Sequence, residues 1–198
     1  MDRIIEKSRE INKNYEEEMI VFYSENRLYF DNFDIITDPE TIEEIILIKQ
    51  KYCEAIERRG YYKELALILN EIFSLLAKIK SKSQQAHHYY ERALFYKGIV
   101  LGRYSKYSAS NRIFKDLKII DPGNESYQKW YESNKKKNLN KIFGLSENVI
   151  MILMAFDVFF GKEIFGPANI IILIIVFVLF IGIFLSTHFL RKKINKNN

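Results

Sequence analysis

The residues of this chain that could do chemistry are few: three histidines, one cysteine and carboxylates scattered through 198 residues. His87 and His88 are adjacent. On a helix they point about 100° apart, whereas a metal pair on one face stands at i and i+4. His188 lies at the end of an apolar run and suits a structural place better than a ligand's. Cys53 has no second cysteine, which rules out an intrachain disulfide and any multi-cysteine zinc site. Asp31 and Asp34 lack the Asp-Gly-Glu pattern of a calcium loop. Gly98 and Gly102 fall inside a helical pattern, and Gly161-Lys162 has neither the earlier glycine nor the following Ser/Thr of a phosphate cradle. Cys53 is expected to pack between helices. The chain is expected to be non-enzymatic, with no catalytic residue, cofactor or metal.

Basic text with aromatics, RALFYKGIVLGRYSKY, could hold single-stranded nucleic acid by charge and stacking. Leu94, Phe95, Gly98 and Ile99 are instead spaced for packing between helices, and no nucleic-acid partner is expected. Charge is unevenly spread. Residues 1–57 carry 7 Lys/Arg against 15 Asp/Glu, and residues 58–141 carry 18 against 7. Ordinary solvated helix faces account for this. A sharper reading lays the basic half against anionic headgroups. The beginning of the chain lacks the apolar core of a signal peptide and reads as an amphipathic helix, with Ile4, Ile5, Ile11, Tyr15, Met19 and Phe22 along one face.

The elements that position these residues are helical almost throughout, which makes the fold class all-α. After the amphipathic helix and an aromatic loop in residues 1–38, Asp38-Pro39 reads as a cap and first turn. Helices are predicted over about 39–59, 61–80, 86–104 and 106–120, and a fifth from Asn124 to about Lys141. Gly60, a polar KSKSQQ loop and Asp121-Pro122-Gly123-Asn124 separate them. The stretches 60–73 and 105–118 align at a spacing of 45, so that Tyr62 meets Tyr107, Leu69 meets Phe114 and, upstream, Cys53 meets Gly98. A small residue there lets two helices approach closely.

Residues 91–124 resemble a tetratricopeptide repeat, with Leu94, Gly98, Tyr107, Ser110, Phe114 and Pro122 in the signature places of its 34-residue unit. Residues 46–80 resemble it loosely, with Gly60 and Tyr62 but no closing proline. The resemblance implies a TPR-like antiparallel helix-pair array over 39–141, closed by a capping helix. It also implies a groove lined by the first helix of each pair: Gln50, Glu54, Arg58, Arg92, Phe95, Ile99 and Arg103. Family members that grip C-terminal carboxylates place Lys and Asn where Phe95 and Ile99 stand. An apolar helix or extended peptide with acidic flanks fits better.

Two apolar segments follow, about 145–161 and 168–190. Asn169–Leu190 has no Asp, Glu, Lys or Arg and would span about 33 Å as a helix, against about 30 Å of bilayer hydrocarbon. Lys135, Lys136, Lys137 and Lys141 precede the first segment; Arg191, Lys192 and Lys193 begin the basic tail 191–198 after the second. Equal basic flanks want the same side, so an even number of crossings follows: a C-terminal transmembrane helical hairpin with both termini cytoplasmic. The alternative is a re-entrant first segment with one true span. Asp157, near the end of the first segment, can reach the interface or meet Lys162, although an ionisable group there is also a functional candidate.

The sequence thus points to a membrane-anchored adaptor that binds a protein or peptide partner beside the lipid bilayer. The competing reading makes the hairpin the active part, forming a homo-oligomer through Asp157 and the small pair Gly182 and Ser186, with the helical domain as its regulator.

Overall fold

The computed structural model describes residues 2–11, 16–31, 38–79 and 84–166, together with 170–171, 174–175, 177–178, 180–182, 185–186 and 189. The side chains of Asp157 and Lys162, and all of Arg191, Lys192 and Lys193, lie outside the described residues. Every regular element among the described residues is an α-helix or a single 3₁₀ position. They are α1 (Asp2–Glu10), α2 (Glu16–Glu25), α3 (Arg27–Asp31), α4 (Pro39–Arg58), α5 (Tyr62–Lys78), α6 (Gln84–Arg103), α7 (Tyr107–Ile120) and α8 (Glu125–Phe165). The chain divides into two units, Met1–Asn134 and Lys135–Asn198.

In the first unit the helix boundaries follow from local chemistry. Asp38 caps α4: its carboxylate accepts from the Thr41 amide at 2.9 Å and hydroxyl at 2.7 Å, and Pro39 takes the first turn, where no amide donor is needed. These hydrogen bonds from Thr41 hold the Asp38 carboxyl below its ordinary range. Helix α4 ends in a Schellman turn: Gly60 sits at φ +78°, its amide bonds Glu57 O, and the Tyr61 amide bonds Ile56 O. Helix α6 ends in the same way through Ser105 at φ 58°, with the Ser105 amide on Gly102 O and the Lys106 amide on Leu101 O. The residues opening the next helices also match, Tyr61 at φ −80°, ψ 57° and Lys106 at φ −87°, ψ 53°.

Two expectations for the first 38 residues differ from the structure. The apolar face expected along the first 22 residues is carried by two helices, α1 and α2. The expected loop before Asp38 contains α3, which delivers Phe30 fully buried to the core.

Helix α4 packs on α2, α5 and α6; α5 packs on α6, and α6 on α7. The core is aliphatic from α4 and α5, with Ile45, Ile46, Ile56, Leu65, Ile72 and Leu75 at zero exposure. At three- and four-residue spacing these fill one face of each helix. Phe30, Tyr23 and Tyr52 stack as three parallel rings, 4.9 and 3.9 Å apart. Beside them Lys49 is fully buried, which it tolerates because its ammonium donates to Tyr23 Oη at 2.8 Å and Glu71 Oε2 at 2.6 Å. Burial, reinforced by Glu71, pushes the Tyr23 phenol far above its ordinary range. A second buried polar link joins α6, α7 and α8: Ser110 of α7 donates to Gly98 O at 2.6 Å and accepts from the buried Asn134 amide at 2.8 Å.

The second unit contains the rest of α8. The turn from polar to apolar text near Lys141 predicts a helix end there. The composition changes there, but no proline interrupts the backbone, and the helix runs on to Phe165, with Gly166 at φ +55° after it. Met151, Ile152 and Leu153, each more than half exposed, follow one another at 100° intervals around α8. The helix is therefore apolar on all sides here rather than along a stripe. Among the described residues, one stretch, Glu125–Phe156, is long and apolar enough to cross a membrane, with mean hydropathy 1.4 and none of its most apolar window buried.

Candidate functional site

The groove residues expected from the sequence all lie on α4 and α6, and the structure gives them three different duties. Gln50 and Ile99 are buried. The Gln50 amide donates to Tyr89 O at 2.7 Å, tying α4 to α6 inside the core rather than facing an open groove. Glu54, Arg58 and Arg92 spend their charges on one another: Glu54 accepts from Arg58 at 2.8 Å and from Arg92 at 2.6 Å. Arg58 also donates to Glu16 of α2 at 2.9 Å, a bond that raises its pKa. Phe95 and Arg103 have aromatic surroundings. Phe95 lies 5.5 Å from the Tyr127 ring and 6.0 Å from the Phe114 ring, and Arg103 stands 5.1 Å from the Tyr62 ring and 5.6 Å from that of Trp130. Arg92 and Phe95, with His88, Glu91, Asn124, Ser126 and Tyr127, line a recess of about 190 Å³.

The residues of the repeat signature build the packing behind this face. A methyl group on Gly98 would come within 2.8 Å of the Phe114 ring, so α6 and α7 meet at a distance only glycine allows. Phe114 in turn stacks on Trp130 of α8, 5.8 Å away and 9° from parallel. Leu94 and Tyr107 are half-buried, Ser110 is fully buried, and exposed Pro122 opens the turn in which Asn124 Oδ1 caps α8 through the Ser126 amide at 3.1 Å. Cys53 is fully buried, and burial pushes its thiol well above the ordinary range.

The structure also assembles residues that the sequence reading did not place at this face. Helix α1 is tied to α4. Ser8 O accepts from Lys51 Nζ at 2.9 Å, Arg9 pairs with Glu44, and Ile5 is 8% exposed. Between α1, α4 and α6 is a cavity of about 340 Å³, lined by Ile5, Ser8 and Arg9, by α4 from Glu40 to Lys51, and by Gln85 and Tyr89 of α6. The Ile4-Ile5 pair was the available signal, but nothing in the sequence named its seat.

On α8, Lys135, Lys137 and Lys141 are exposed and Lys136 is half-exposed, immediately before the apolar stretch. Among the described residues no group of three or more His, Cys, Asp or Glu is placed to hold a metal ion. No family model matches the chain, and no curated protein or solved structure matches it.

Proposed function

We propose that this chain is a non-enzymatic, membrane-anchored adaptor whose TPR-like helix-pair array binds a protein or peptide partner through the face of α4 and α6. The observation that carries the anchoring is the all-round apolar exposure of α8 beyond Lys141. A soluble surface would leave Val149, Met151, Ile152, Leu153 and Phe156 in water, whereas hydrocarbon accommodates them at no cost. The array reading is supported by two α-turn-α corners with matching torsions at a spacing of 45 residues. Array folds present first-helix faces to partners, and the recess beside Arg92 and Phe95 lies on such a face.

In this reading the second apolar segment returns across the bilayer, Gly166 marks the turn, and both basic flanks stay cytoplasmic. Lys135, Lys136, Lys137 and Lys141 then meet anionic headgroups before α8 enters the hydrocarbon. The test has two arms. After alkaline extraction of membranes, the full chain should remain in the pellet; release into the supernatant would overturn the anchor. A photoreactive residue replacing His88, exposed at the recess, should cross-link to one discrete protein, and the same group at Ile119 of α7 should not. Equal patterns from both positions would overturn the binding face.

A further inference from the structure

Helix α1 carries an inference about the partner. It has nine residues, too few to be stably helical alone in water. Its helical form therefore depends on where it lies. That seat is complementary in two respects. Ile5 is 8% exposed and lines the cavity together with Leu47, Ile48 and Tyr89, and Arg9 pairs with Glu44, while Glu40 and Glu43 line the same cavity. Yet the fit is incomplete, because a cavity of about 340 Å³ remains beneath α1, and the residue pointing at it is Ser8, 2% exposed, whose hydroxyl is turned back to Ile5 O at 2.6 Å.

We propose that the acidic wall of α4, with Tyr89 and Gln85 of α6, is a docking seat for a short amphipathic helix that turns a basic side chain to that wall, and that α1, whose Arg9 pairs with Glu44, is its resident occupant. The partner presents an aliphatic pair followed about one turn later by an apolar side chain in the place of Ser8, with an arginine or lysine beside it. It displaces α1 by filling the cavity that α1 leaves. This rests on the adaptor reading and names the chemistry of the ligand. It also makes binding competitive with a tethered segment, whose effective concentration is of millimolar order.

The test uses the full chain in detergent or nanodiscs and a fluorescent synthetic peptide of residues 2–11. Removing residues 2–11 from the chain should tighten peptide binding by at least about ten-fold, because the tethered competitor is gone. A Ser8→Leu peptide should bind more tightly still, by about ten-fold, as its side chain leaves water. Glu44→Arg in the deleted chain should weaken binding, and an Arg9→Glu peptide should restore it. If the deleted chain loses its native Trp130 fluorescence, Arg9→Glu in the full chain carries the same comparison, since it loosens α1 while keeping Ile5. No gain of binding in either chain, or no rescue by the reversed pair, would overturn the proposal. Membrane extraction and cross-linking at position 88 do not involve α1, so the adaptor reading would then stand or fall separately.

Discussion

Gly60 and Ser105, 45 residues apart, occupy the same left-handed turn, at φ +78° and 58°. Each follows the last residues of a 20-residue helix and lets the next amide reach back to close the same hydrogen-bonded corner. Glycine adopts this conformation freely and serine does so at a cost, so the second corner carries strain the first lacks. Ser105→Gly should therefore stabilise the first unit by about 0.5–1 kcal/mol, while Gly60→Ala should destabilise it by about 1 kcal/mol. Denaturant titration of the full chain followed by Trp130 fluorescence reads both. Opposite signs at the two positions are expected, and a loss of stability in Ser105→Gly would disprove the strain.

The contact of Gly98 with Phe114 makes a second expectation. Gly98→Ala forces the Phe114 ring to move and should cost about 1–3 kcal/mol. Phe114→Ala, at zero exposure, should cost about 3–5 kcal/mol. Combining Gly98→Ala with Phe114→Leu should cost less than the sum of the singles, since the smaller side chain makes room for the methyl. Strict additivity in a double-mutant cycle would show that the two residues do not share the site.

Much of this was legible in the sequence, and the reason differs by element. Asp38-Pro39, Gly60 and Asn124 act within a few residues of themselves, so their capping and turn roles follow from residue type alone. The 45-residue spacing placed Cys53 and Gly98, and both are buried where helices meet. Long-range pairing was not legible. Glu54 looked like a ligand-facing carboxylate, and only the approach of α6 reveals that Arg92 claims it. Likewise Ser105 gives no sign of a left-handed backbone, because its conformation is imposed by the corner around it. The seat of α1 is a third case, since its walls come from segments about 40 and 80 residues away in the chain.

Alkaline pH should weaken the first unit. Burial of the Tyr96 ring lifts its phenol from 10.0 to about 12, although Arg92 opposes the shift. Below pH 10 the group is protonated in both states, and its contribution to stability is complete. Above that pH the unfolded chain ionises while the folded one still holds its proton, so stability falls as the pH approaches about 12. Tyr23, Tyr52 and Tyr127 shift in the same direction, burial being the largest cause for each. Tyr96→Phe should reduce the loss between pH 10 and 12 by about 1–2 kcal/mol. Denaturation curves with the same pH slope in both chains would contradict this.

The buried thiol of Cys53 simplifies a test of topology. With its pKa raised and no exposure, Cys53 should react with maleimide only as the chain unfolds. Single cysteines introduced as Asp2→Cys, Ile164→Cys and Asn197→Cys can then be read against a silent background. In sealed vesicles of known orientation, positions 2 and 197 should label from the same side and position 164 from the other. Labelling of 2 and 197 from opposite sides would replace the hairpin with a single crossing.

The seat of α1 also orders events during synthesis. Its floor is α4 and its far wall is the beginning of α6, so the seat of α1 is incomplete until residue 89 has left the ribosome. At about 5–20 residues per second, that interval lasts roughly 4–16 s. Throughout it the Ile4-Ile5 pair is open to chaperones and neighbouring nascent chains, and α1 finds its place only after helices translated later than itself.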